Sequence, residues 1–182
     1  MNKSIKAAQG GFTLIELIVV IVILGILAAT ALPKFASLSG EARLASLNAA
    51  KGSLSATSAM THGKHLVAPA TAASPTIAVE GTAVTMNLVS GYPSVATQAA
   101  ADALAAAAGL STADYTVFVR GTAGTNKPAV AANQLAIVPN SIVGTKTAQK
   151  CFVLYTASIA ANTAPTITVG SPTNATAVSD CE

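Results

Sequence analysis

From Phe12 to Leu32 the chain is apolar at almost every position, and beyond Lys34 that block gives way to stripes. The block holds 21 residues, which as a helix extend about 31 Å, close to the ~30 Å hydrocarbon core of a bilayer. One carboxylate, Glu16, sits near its start, and the next cation along the chain is Lys34. A charge in such a segment is costly unless it meets a partner. With none nearby in its own sequence, Glu16 points outside the subunit. Gly25 and Pro33 interrupt the run. Pro33 removes a donor and crowds the preceding turn, which predicts a kink near residues 29–33.

A helix is expected to resume from Lys34 to about Met60. Phe35, Leu38, Ala42, Ala45, Ala49 and Gly52 recur at 3–4 spacing, and Leu44, Leu47 and Leu54 form a second stripe. One stripe would face a globular domain and the other neighbouring molecules; alternatively both widen a single core-facing stripe. Gly63, within His62-Gly63-Lys64-His65, reads as the C-cap of this helix, with cations at its end. The two histidines lack nearby Cys, Asp or Glu for a metal site, so no metal or cofactor is expected.

Residues 66–75 read as a loop. Strands are expected at 76–80, 82–89, 115–120, 134–138, 151–156 and 166–169. A turn falls at Ser90-Gly91-Tyr92-Pro93, and an Ala-rich helix over 95–108 is capped by Ser94 and ended by Gly109. Strands joined by short turns imply an antiparallel sheet laid against the long helix, an α+β fold. The expected division is a leader at 1–11, a long helix at 12–60 with 12–32 spanning the membrane, and a head at 61–182.

Composition narrows this picture. Aromatics make up 4% of the chain and Trp is absent, so the core is light and built largely from Ala. The formal charge of +3 owes much to Lys3 and Lys6. Setting those aside leaves eight cations against seven acids, and no run of Lys or Arg argues for nucleic-acid binding. Cys151 and Cys181 are the two cysteines. Downstream of a spanning segment they read as a disulfide in an oxidising compartment, with two buried free thiols as the alternative. No nucleophile elbow, phosphate-binding glycine loop or His–carboxylate pair suggests an enzyme.

Three accounts of the N-terminus compete. A cleaved signal peptide explains Lys3, Lys6 and Ala29-Thr30-Ala31, but the apolar run is too long for one and Glu16 has no use in it. A single-span anchor explains the run and leaves Glu16 without a purpose. Cleavage after Gly11 would free an α-amine on Phe12, four residues before Glu16. Amine and carboxylate could then offset each other, within one helix or, better, between axially stacked copies.

Lys6 followed by Gly10-Gly11-Phe12-Thr13-Leu14-Ile15-Glu16 resembles the leader and N-terminus of type IV pilins, a motif shared by major pilins, minor pilins and type II secretion pseudopilins. The resemblance implies cleavage after Gly11 by a prepilin peptidase, N-methylation of Phe12, and a role for Glu16 in assembly. It also implies loss of helicity between Gly25 and Pro33 in the filament, where the residues alone allow an ordinary proline-kinked span. The partners it implies are further copies of the chain in a helical homopolymer, an assembly platform and an ATPase. The implied location is the inner membrane and then a surface pilus of a Gram-negative bacterium, used for adhesion or motility. Cys151-Phe-Val-Leu-Tyr-Thr, the Pro165-Thr-Ile-Thr-Val stretch and Cys181 are similar to the disulfide region of mannose-sensitive haemagglutinin pilins.

Overall fold

The computed structural model describes residues 13–121, 124–161, 163–171, 174–175 and 178–182. One helix, α1 (Leu14–Val67), runs 54 residues, about 80 Å. Among the described residues, eight strands and a second helix gather against its C-terminal part. The strands are β1 (Thr76–Val79), β2 (Thr82–Asn87), β3 (Tyr92–Pro93), β4 (Tyr115–Gly121), β5 (Val130–Pro139), β6 (Val153–Thr156), β7 (Thr166–Ser171) and β8 (Asn174–Ala175), with α2 (Gln98–Ala107) between β3 and β4. Short 3₁₀ turns occupy Lys146–Gln149 and Val178–Asp180.

The strands form two antiparallel meanders, β1-β2-β3 and β4-β5-β6-β7-β8, where one sheet is expected from sequence. α2 divides them, packing on both β2 and β4. In β5, Leu135, Ala136, Ile137 and Val138 are all fully buried. Four consecutive buried residues mean that both faces of this strand are covered, since neighbours in a strand point opposite ways. The β1–β2 turn places both Glu80 (φ 47°) and Gly81 (φ 81°) in the left-handed region, the geometry that matches the twist of a two-residue hairpin.

α1 enters the core through Leu47, Ala50 and Leu54, each 1% exposed or less. They meet Val84 of β2, Leu104 of α2, and Ile137, Val153 and Tyr155 of the larger sheet in one cluster. The core-facing stripe is therefore the one carrying Leu47 and Leu54. Ala42, Ala45, Ala49 and Gly52 are exposed on the other side.

Two expected boundaries are corrected. The long helix does not stop near Met60 at a Gly63 cap; it continues to Val67, with Ala68 N–H bonding Lys64 O at 2.8 Å. Tertiary contacts support the extra turns. The His62 ring stacks on Tyr92 at 4.0 Å and 3°, and its Nδ1 lies 2.8 Å from Gly91 O. A Cβ on Gly91 (φ 71°) would stand 3.0 Å from the His65 ring, so the glycine permits this close approach. Likewise α2 is capped by Thr97, whose hydroxyl accepts from Ala100 N at 3.2 Å, and not by Ser94. Gly109 follows its end, as expected, with Leu110 N bonding back to Ala105 O.

Candidate functional site

Chemistry-bearing features collect at two places on α1: its apolar N-terminal half, and the point where the chain's last residues cross it. In the first, nearly every residue from Leu14 to Phe35 is exposed. Leu14 is 75% accessible, Ile26 64% and Phe35 69%. The helix is long and apolar enough to cross a membrane, and none of its most apolar stretch is buried within the chain.

Glu16 sits in the first turn of α1, with its side chain folded back on the helix start. Its Oε2 accepts from Thr13 N at 2.8 Å and from Thr13 Oγ1 at 2.8 Å, while Thr13 Oγ1 accepts from Glu16 N at 3.3 Å. This is a capping box, each residue satisfying the other's backbone amide. No cation was expected close to Glu16 in sequence, and the partners it finds are neutral donors three residues back. Those donors supply hydrogen bonds and no counter-charge. Gly11 and Phe12, and with them the whole of the expected leader at 1–11, lie outside the described residues.

Gly25 and Pro33 both fall inside continuous helix. Pro33 has no N–H to give to Ala29 O. Just before it, Thr30 Oγ1 bonds back to Leu27 O at 3.0 Å and Ile26 O at 3.5 Å. A hydroxyl competing for these carbonyls loosens a helix locally. Residues 25–33 therefore combine a glycine, a proline and a back-bonding threonine within about two and a half turns.

At the second place, Cys151 and Cys181 form a disulfide with Cα atoms 5.0 Å apart, both residues fully buried. It fastens the C-terminal segment across α1. Arg43 Nη1 donates to Cys181 O, Thr147 Oγ1 to Glu182 O at 2.9 Å, and Lys150 pairs with Asp180 at 3.3 Å. Gly40 makes the crossing possible, since a Cβ there would meet Glu182 Cγ at 2.8 Å and Val178 O at 2.9 Å. The tail thus seals the head where α1 leaves it.

Among the described residues no three His, Cys, Asp or Glu side chains converge as metal ligands. His62 and His65 are used locally, His62 on Tyr92 and Gly91, and His65 accepting from Ala70 N at 3.1 Å.

Thr13, Gly40 and Arg43 also shape these two places. The first had a legible signal, Ser or Thr followed three residues later by Glu at the head of an apolar run. The other two gain their importance only from a tail more than a hundred residues away.

Residues 6–32 match the family model described as the prokaryotic N-terminal methylation motif. No solved structure matches the chain. The motif supports a type IV pilin-like or pseudopilin-like protein and points to a structural, non-enzymatic role. With the apolar helix it fits a membrane-anchored precursor processed by a prepilin peptidase.

Proposed function

We propose that this chain is a structural subunit of a type IV pilus. The observation that carries this reading is the union, in one segment, of the methylation motif at 6–32 and a helix half whose large side chains find no cover in their own chain. Such a surface is stable in lipid or against its own kind, and hardly in water.

In this account the precursor sits in the inner membrane of a Gram-negative cell with the head in the periplasm. A peptidase cuts after Gly11 and methylates Phe12. A platform and an ATPase then draw the subunit into a homopolymer in which residues 12–32 of many copies bundle. Aliphatic groups gain little by exchanging lipid for helix contacts, so extraction is driven by the ATPase. The Glu16 carboxylate, which the Thr13 cap folds back on the helix start, takes the Phe12 amine of an adjacent copy and fixes axial register. Residues 25–33 give up helicity as copies pack. The exposed Ala42, Ala45, Ala49 and Gly52 face lets neighbouring helices come close. The filament serves attachment, and the Cys151–Thr156 and Pro165–Val169 stretches favour the mannose-sensitive haemagglutinin type.

Mass spectrometry of the mature N-terminus tests this reading: a chain beginning at N-methylated Phe12 is expected, and an uncut one contradicts it. Glu16→Ala should leave that cleavage intact and stop filament growth. A minor pilin or pseudopilin shares the same processing. It differs in abundance, since a major subunit dominates the sheared surface fraction.

A further inference from the structure

Lys127, Lys146 and Lys150 are scattered in the sequence but line one open cavity of about 900 Å³. It lies at the loop end of the β4–β5 hairpin, beside the Lys146–Gln149 turn. Val130, Phe152 and Leu154 form its floor, each no more than 4% exposed. No carboxylate lines the described wall. From Tyr115 to Ser179 the chain carries Arg120 and these three lysines but no Asp or Glu. Asp180 offsets Lys150 at 3.3 Å, so the wall keeps a net positive charge.

The cavity is held open by specific bonds. Gln149 Nε2 donates to Gly124 O at 2.8 Å, tying the turn to the hairpin loop. Gln134 accepts from Ala131 N at 2.9 Å and donates to Thr156 Oγ1 at 3.1 Å. Arg120, Asn126 and Asn133 flank the cavity with φ of 31°, 75° and 59°, three of the four non-glycine residues in that region among the described residues. The β4–β5 ladder shifts register between Val119 and Gly121. Bulges and left-handed residues bend a hairpin and re-aim its backbone, here around the mouth of the cavity.

We propose that this cavity binds the carboxylate- or sulfate-bearing sugars of an acidic polysaccharide, an inference that rests on the reading that the head is displayed outside the cell. Its volume lies in the ~300–1,000 Å³ range of ligand sites. Lysine ammonium groups on flexible stems serve as point charges for anions presented in varied orientations, and like-signed walls of a concavity concentrate such ligands. Single-stranded nucleic acid is disfavoured because stacking needs an exposed ring, and Phe152, the aromatic residue of the lining, is 3% exposed. A peptide adding to the sheet would need the free edge of β4, whereas the cavity lies at the hairpin's loop end.

The test is direct binding of the detergent-solubilised full chain to oligogalacturonate and to sulfated dextran oligosaccharides, with neutral dextran as reference. At least one acidic probe should bind above neutral dextran and weaken with salt, as screening shortens from about 10 Å at 0.1 M to about 3 Å at 1 M. Preference between them identifies the anion, and either supports the proposal. The double variant K127E/K146E should weaken binding about tenfold with an unchanged melting temperature, and K51E, on α1, should not. If K127E/K146E unfolds, K127Q/K146Q takes its place. The proposal is overturned if neutral dextran binds as well, if the double variant keeps wild-type affinity, or if polyglutamate or a single-stranded oligonucleotide outcompetes both sugars. The isolated chain suffices, so failure to polymerise would sink the pilus reading and leave this one standing.

Discussion

Residues 14–38 and residues 40–61 are two halves of one continuous helix, yet they relate to the chain in opposite ways. The first carries Leu, Ile, Val and Phe and buries none of them; Ile23 is 51% exposed and Leu38 56%. The second is mostly Ala, Ser and small polar residues, yet it buries Leu47, Ala50, Leu54, Thr57, Ser58 and Thr61 at helical spacing. Side-chain apolarity and burial have come apart. In the second half, burial follows from what the head offers: the ring of Tyr155, the α2 face and the strands of two sheets. In the first half, apolarity exceeds anything the chain supplies, so the cover lies elsewhere, in lipid or in other copies.

The largest effect that would break this contrast comes from Leu54→Ala in the head-facing half. A fully buried leucine with little room to collapse should cost about 2–5 kcal/mol, read from denaturant unfolding of the detergent-solubilised chain. Next is removal of the Cys151–Cys181 bond, which closes a loop over a sequence separation of 30 residues. Its loss as C151S/C181S should cost about 3–4 kcal/mol in the chain-entropy model. It should also free the tail from Gly40 and Arg43, seen as faster amide exchange at residues 178–182.

Tyr155 sharpens the comparison by pH. Its ring is fully buried, and its hydroxyl donates to Pro93 O at 3.2 Å with Ser58 Oγ at 3.5 Å. Burial pushes its pKa from 10 up to about 12. The folded chain thus keeps a proton that the unfolded chain releases. Stability from this group is whole below pH ~10 and falls as pH rises toward ~12, a loss of about 2.7 kcal/mol for two pKa units. Tyr155→Phe should flatten that part of the alkaline unfolding profile. Smallest is Leu24→Ala: 57% exposed, it should change head stability by no more than about 0.5 kcal/mol. A loss comparable to that of Leu54→Ala would erase the distinction between the halves.

Much of this architecture was legible from residues alone, and the misses share a cause. The apolar block, the Leu47/Leu54 stripe, most strands and the α+β class follow from periodicity and composition, which act locally, and the disulfide from a lone pair of cysteines beyond a spanning segment. What failed was set by distant contacts. Gly63 has the look of a cap, but Tyr92 stacking on His62 carries the helix past it. Cys151 reads as strand, but β6 begins at Val153. The division into two sheets follows from α2 wedging between β2 and β4, which no alternation reports. The lysine cavity is hidden for the same reason, its cations lying 19 and 4 residues apart in sequence. At Glu16 the reverse holds: the hydroxyl that caps it lies three residues away and is legible as a capping box.

The proposed filament packing covers the bare half of α1 with other copies and pairs Glu16 with a neighbour's terminal amine. An atomic-resolution map of the intact filament tests it most directly. Residues 14–38 of adjacent copies should be in contact, with the Glu16 carboxylate within hydrogen-bonding distance of the Phe12 nitrogen of the next subunit. A polymer joined through its heads alone, with that half of the helix uncovered and Glu16 facing solvent, would contradict it.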